Sequence, residues 1–132
     1  MKSIFQDDEY ECGVACVAML RNLTLPRARL LCGADFENGI GITVKGMLRI
    51  IERAGMFVAA RGLITLKHPV TNLHRNALLW GKQLPSRGTI DADKNVFDHW
   101  LVWDAKLQVV RDPYRYRKAV RLTRYFELDV PS

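Results

Sequence analysis

Residues 6–19 read QDDEYECGVACVAM, and the interpretation of the whole sequence starts from this stretch. It passes from an acidic, loop-like segment directly into the apolar periodicity of a buried helix, and Cys12 falls at the junction. A thiol at a helix N-terminus lies beside unpaired backbone N–H groups and the positive end of the helix dipole, which favours the nucleophilic thiolate. The stretch therefore predicts a reactive cysteine, provided that other residues supply its partners.

The first half of the chain has the patterns of helices. Apolar residues continue from Cys12 at helical spacing, and this helix is expected to end before Pro26, because a residue preceding proline disfavours the helical conformation. Pro26 can open a second, short helix over 27–31. Thr43 is a suitable N-cap for a third helix over 44–54.

The second half of the chain has the patterns of strands, rich in Val, Trp and other large apolar residues. Helices followed by strands predict an α+β fold with a mainly antiparallel sheet, in one domain over 1–132. The predicted strands are 56–60, 77–80, 99–104, 107–111 (after a tight turn at Ala105 and Lys106) and 122–128, of which the last could instead be a helical turn.

Three segments are predicted to have little regular structure. Residues 1–11 read as an entry strand or loop, and Asn38 with Gly39 marks a turn. Residues 81–98 are polar and contain Pro and Gly, so we expect a long surface insertion there, which could act as a lid.

Composition excludes several classes of protein. With 48% hydrophobic and 26% charged residues, the chain is typical of a globular domain, and no apolar run is long enough for a membrane span. The first residues lack the apolar core of a secretory signal, so a complete chain would be cytoplasmic. The cysteines are expected to be free, and the histidines are not at zinc-ligand spacing, so we predict neither a metal nor a cofactor.

A basic stretch near the end of the chain raises the question of an anionic partner. The net charge is +6, and Arg and Lys alternate with Tyr114 and Tyr116 over 111–124. Basic residues interleaved with aromatic residues can bind nucleic acid. Charged side chains also protect the edge of a sheet from aggregation, and we favour this explanation over nucleic-acid binding.

The partners that a nucleophilic thiol needs have candidates in the second half of the chain. His99 begins a strand and could act as the base, while Asp112 follows the next strand and is placed before Pro113. If these two strands form a hairpin, Asp112 can accept a hydrogen bond from the imidazole. Gln6 could direct its side-chain amide at the oxyanion of a tetrahedral intermediate. Cys16, one helical turn after Cys12, is interpreted as a packing residue.

These residues resemble those of a known family. The stretch QDDEYECGVACVAML, with Gln six residues before Cys and Gly-x-Ala-Cys after it, is similar to the signature of the bacteriocin-processing (double-glycine leader) peptidases, family 39 of the papain-like cysteine peptidases. GITVKGMLRIIERAG resembles the family's middle helix, and HWLVWD followed by VVRDP resembles its His strand and Asp-Pro turn.

The resemblance implies both a fold and an activity. It implies a papain-like domain in which Cys12 is the nucleophile, His99 the general base and acid, Asp112 the residue that orients His99, and Gln6 the oxyanion donor. The implied reaction is cleavage of a leader peptide after a Gly-Gly pair, often within the N-terminal domain of an ABC exporter at the cytoplasmic face of the membrane. Glu11 replaces the more usual Asp, and 81–98 is longer than the family's linker.

Other functions use the same residues. A peptide-binding module on this fold would bind a leader without cleaving it. A papain-like transferase or deamidase would use the same triad with a different acceptor, because an acyl-enzyme reacts with whichever nucleophile reaches it. We expect a peptide or protein substrate in each case.

Overall fold

Helix α1 (Cys12–Arg21) lies at the centre of the molecule. In the computed structural model, which describes residues 1–8, 10–37, 40–59, 63–83, 97–115 and 119–129, every residue of α1 from Cys12 to Leu20 is buried. Two further helices, α2 (Leu25–Cys32) and α3 (Val44–Arg53), pack near it. No helix in these described ranges is long and apolar enough to cross a bilayer.

The described strands form a small hairpin and a larger antiparallel sheet. The sheet has the strand order β3-β8-β5-β6-β7, and β4 also pairs with β8. This arrangement is the predicted α+β class. The strands are β1 (Phe36–Glu37) and β2 (Gly41–Ile42) in the hairpin, and β3 (Phe57–Val58), β4 (Ile64–Thr65), β5 (Ala77–Gln83), β6 (Phe97–Asp104), β7 (Val109–Arg111) and β8 (Val120–Asp129) in the sheet.

The sheet is buried on both faces because its apolar side chains alternate along β6. Trp100 and Val102 join the core formed with the three helices. Leu101 and Trp103 join a second core, covered by apolar residues of the segment that precedes β5. The two indole groups also bind carbonyl oxygens, since Trp100 donates to Ile42 at 3.0 Å and Trp103 donates to Leu73 at 2.9 Å.

The helices begin where capping residues occur. Thr43 accepts a hydrogen bond from the N–H of Gly46 at 3.1 Å, as predicted for the N-cap of α3. Helix α2 begins earlier than predicted because Thr24 caps it, accepting from the N–H of Arg27 at 3.4 Å. Helix α1 ends before Pro26, as predicted; its last residue is Arg21, and its C-cap is Asn22, whose backbone is left-handed.

The prediction of a surface insertion over 81–98 was wrong at both ends. Residues 81–83 belong to β5 and residues 97–98 belong to β6, with pairing that continues to Gln83 and Phe97. Lys82 and Asp98 are exposed and lie opposite each other, so their polarity reflects a solvated part of the ladder and not a loop. Residues 84–96, including any lid, lie outside the described residues.

Residues 122–128 lie within strand β8, which confirms the predicted last strand and not its alternative, a helical turn. Other predicted elements need correction. The turn after β6 extends over 105–108, where Gln108 has a left-handed backbone, so β7 starts later than predicted. Strands β1 and β2 flank the predicted turn at Asn38 and Gly39, which itself lies outside the described residues. Ala60, the last residue of the predicted strand 56–60, also lies outside them.

The interpretation of the basic stretch as a sheet edge was wrong at Arg124, where β8 pairs with β5 on one side and with β4 on the other. Strand β7, which carries Arg111, is the last strand in the order of the described sheet. Arg121 and Arg124 are exposed on β8. Arg111 is used internally, bonding Asp104 at 2.9 Å. Arg115 lies over the ring of Phe5 at 5.4 Å from its centre. Tyr116, Arg117 and Lys118 lie outside the described residues.

Candidate active site

Cys12 is the first residue of α1, as the sequence predicts, and it is 8% exposed. The next residue, Gly13, lets the start of α1 lie close to its neighbours. A β-carbon at Gly13 would be 2.9 Å from the side chain of Ile42 and 3.2 Å from that of Trp100. Because Trp100 directly follows His99 in β6, this close packing brings the thiol toward the histidine.

His99 is the side chain that interacts with this thiol. It is 4% exposed, and its imidazole is hydrogen-bonded to Cys12 and to Asp112. Asp112 Oδ1 lies 2.6 Å from Nε2 of the ring. The three side chains therefore form one hydrogen-bonded series, thiol to imidazole to carboxylate.

Asp112 is held in place by the end of the β6–β7 ladder. Val102 pairs with Arg111, so the residue after Arg111 emerges beside the start of β6. The N–H of Tyr114 donates to the same Oδ1 at 2.8 Å, which fixes the carboxylate. The Tyr114 ring also contacts His99 edge-on, with 6.4 Å between ring centres.

The electrostatics of the site favour a protonated imidazole. Burial by itself would lower the pKa of His99, but hydrogen bonds to Asp112 and Cys12 outweigh burial and raise this pKa to about 9. At neutral pH the ring is therefore an imidazolium between two groups that can carry negative charge. The thiolate is the nucleophilic form of cysteine.

Gln6 lies beside the Asp112 turn. Its backbone N–H donates to the carbonyl of Pro113 at 2.9 Å. Because Pro113 directly follows Asp112, the predicted oxyanion donor lies close to the His–Asp pair. Its side-chain Nε2 donates to the carbonyl of Asp8 at 2.9 Å. Its Oε1 is buried with no hydrogen-bond partner among the described residues.

Two charged residues at the site were not predicted to take part in it. Glu11 is a buried carboxylate whose side chain is 2% exposed, and Arg29 of α2 binds it through Nε and Nη2. Arg29 also reaches Asp7 at 2.8 Å. The unusual Glu before Cys12 was visible in the sequence, but its partner lies 18 residues away on another helix.

Cys16 packs into the core, as interpreted from the sequence. It is fully buried, and burial raises the pKa of its thiol well above the usual value, with a further contribution from the charges of Cys12 and Asp112. Cys16 is therefore a neutral packing residue. Within the described ranges, no three His, Cys, Asp or Glu side chains converge where they could hold a metal ion.

Comparison with known proteins gives a limited similarity. No protein-family model matches the chain, and no solved structure matches it. The chain is 37% identical over 59 residues to the lactococcin-G-processing and transport ATP-binding protein LagD of Lactococcus lactis subsp. lactis. That similarity covers 41% of this chain and 8% of the length of LagD. It indicates a loose relation to a lactococcin-processing and transport protein, of whose length this chain spans only a small part.

Proposed function

We propose that this chain is a papain-like cysteine peptidase domain that cleaves peptides after small residues of the Gly-Gly type. One observation carries the proposal, namely the hydrogen-bonded series of Cys12, His99 and Asp112. A helix that begins at the thiol and packs on an antiparallel sheet carrying the His and the Asp is also the arrangement expected for a papain-like fold. The similarity to LagD, whose name combines processing with transport, supports a peptide substrate and a link to an exporter.

The proposed reaction begins with acylation of the thiolate. The Cys12 sulfur attacks the scissile carbonyl carbon, a C–S bond forms, and the carbonyl π electrons move to oxygen. Gln6 would stabilise this oxyanion with a side-chain N–H. As the tetrahedral intermediate collapses, the C–N bond breaks and the His99 imidazolium gives its proton to the departing amine. Asp112 keeps the ring oriented throughout.

In deacylation the same groups act again, but His99 first accepts a proton instead of donating one. Neutral His99 takes a proton from a water molecule as the water oxygen attacks the thioester carbonyl. The C–S bond then breaks, the carboxylic acid leaves, and the thiolate–imidazolium pair is restored. A different nucleophile in place of water would make the chain a transferase, so the triad alone does not distinguish these two reactions.

The experiment compares Cys12→Ala with Cys16→Ala on a peptide that contains a Gly-Gly site. We expect wild type and Cys16→Ala to cleave after the glycines and to be alkylated by iodoacetamide at Cys12, while Cys12→Ala does neither. Mass spectrometry identifies both the cleavage products and the alkylated residue. If the wild-type thiol is alkylated but the peptide is bound without being cut, the chain is a peptide-binding module, and the peptidase proposal fails.

A further inference from the structure

The side chain of Gln6 is held in one orientation by a single acceptor. Its amide nitrogen carries two N–H groups, of which one is donated to the Asp8 carbonyl at 2.9 Å. Rotating the amide by half a turn would set two acceptor oxygens against each other, so Nε2 must face Asp8. Holding Oε1 buried without a described partner costs free energy, and the Asp8 contact opposes this cost.

Asp8 is in turn fixed by the residue before the thiol. The N–H of Asp8 donates to Glu11 Oε1 at 3.3 Å, and the N–H of Glu11 donates back to the Asp8 carbonyl at 3.3 Å. The carboxylate of Asp8 accepts from the N–H of Tyr10 at 2.9 Å. The carbonyl that orients Gln6 is therefore located by the carboxylate of Glu11.

The carboxylate of Glu11 depends on Arg29. A carboxylate that is 2% exposed needs a cation or several donors to remain charged, and Arg29 supplies two N–H groups to it. Arg29 also bonds Asp7, so one guanidinium binds the loop at two points. Removing this side chain leaves a buried charge uncompensated, and the loop must rearrange.

We propose that Arg29 and Glu11 are positioning residues that hold the Asp8 carbonyl, and through it aim the second N–H of Gln6 at the developing oxyanion. This inference rests on the proposed function, because it assigns Gln6 to the oxyanion. It adds a contribution from α2, which carries no residue of the triad. Arg29 of α2 would affect turnover through its ion pair with Glu11, without touching a substrate atom. Arg29 should act on turnover through Gln6 and not through the thiol.

A double-mutant cycle tests this route. With a fluorogenic peptide amide ending in Gly-Gly, we expect Arg29→Met to lower kcat about tenfold, with KM changed little, because an oxyanion donor acts mainly in the transition state. In the Gln6→Ala background, Arg29→Met should lower kcat no further. Alkylation of Cys12 by iodoacetamide needs no oxyanion donor, so its rate should stay within about twofold of wild type.

Two controls separate positioning from general destabilisation. Arg49→Met removes a different ion pair, that between Arg49 of α3 and Asp35 at 2.7 Å, and should leave kcat unchanged, since Arg53 also binds Asp35 at 2.9 Å. Arg29→Lys keeps the charge near Glu11 and should recover part of the lost kcat, even if Arg29→Met folds poorly. Equal losses from Arg29→Met in the wild-type and Gln6→Ala backgrounds, or a parallel loss of alkylation, would overturn the inference.

A spectroscopic measurement keeps the test independent of turnover. In the folded wild type, the two side-chain amide protons of Gln6 should differ in exchange rate with solvent, because one of them is bonded to Asp8. In Arg29→Met, NMR should show both protons exchanging at similar, faster rates. An unchanged pattern would overturn the inference. A wild type that neither cleaves peptide nor is alkylated, yet shows the expected NMR change, would instead remove the proposed function.

Discussion

His99 and Asp112 are held by a β-ladder, whereas Gln6 and Cys12 are held by a loop and a helix start. In the first pair, which we call the strand half, backbone pairing of β5, β6 and β7 sets the positions of the side chains. In the second, which we call the loop half (residues 6–12), the Asp8 turn and the Glu11–Arg29 ion pair set them. The strand half is held mainly by backbone hydrogen bonds, which use groups that nearly every residue has. The loop half depends on particular side chains.

The largest expected effect compares one residue from each half. Asp112→Asn should lower both peptide turnover and alkylation of Cys12, because it removes the charge that keeps His99 protonated and oriented. Gln6→Ala should lower turnover about a hundredfold while alkylation stays near the wild-type rate, because an oxyanion donor acts only on the acyl-transfer transition state. Steady-state kinetics and timed iodoacetamide labelling measure the two quantities. If Gln6→Ala slows peptide turnover and alkylation of Cys12 equally, Gln6 does not act on the oxyanion alone, and the contrast between the two halves fails.

The next effect concerns the pH dependence of stability in the strand half. The pKa of His99 is raised to about 9 from an ordinary 6.5, so the folded state holds this proton more tightly than the unfolded chain. The resulting stabilisation is fully present below about pH 6.5 and is lost as the pH rises through about 9, amounting to at most about 3 kcal/mol. Urea unfolding across this range should show the decline in wild type and a smaller decline in Asp112→Asn. Equal slopes in the two proteins would contradict the assignment.

A pair of glycines, one in the strand half and one directly after the loop half, gives a smaller contrast. Gly81 lies opposite His99 in the ladder, and a β-carbon there would be 2.6 Å from the backbone oxygen of Arg121. A β-carbon at Gly13 would meet the movable ends of Ile42 and Met47 and, at 3.2 Å, a ring carbon of the buried Trp100, but no backbone atom. We expect Gly81→Ala to cost about 2 to 3 kcal/mol. Gly13→Ala should cost less than Gly81→Ala, because alanine favours the helix and offsets part of the crowding. Thermal unfolding measures both, and a reversed order would show that the ladder is the more adaptable half.

Much of the fold could be predicted because local signals agree with it. Thr43 is a residue type that often caps helices, and it correctly marks the start of α3. The apolar residues after His99 have high β-propensity, and they lie in strand β6. The pairing of His99 with Asp112 followed from a single assumption, that neighbouring strands form a hairpin, and the structure has that hairpin. The chemical roles of these residues stay predictions, since geometry alone does not demonstrate turnover.

The rest could not be predicted because it depends on tertiary contacts. No local pattern relates Glu11 to Arg29, since their contact requires knowing which face of α2 lies against the loop. Lys82 and Asp98 were assigned to a loop because polar residues usually indicate one. Their cross-strand pairing becomes visible only when the two strands are aligned.

The extended β5–β6 ladder has a consequence for how this chain can vary in length. The strands are already paired at Gln83 and Phe97, beyond the Gly81–His99 pair, so residues 84–96 join two ends that the ladder itself brings together. Replacing these residues with a connector about a third as long should change loop-closure entropy by only about 1 kcal/mol. The number of residues between Gln83 and Phe97 can therefore change while the β5–β6 ladder keeps His99 in its position.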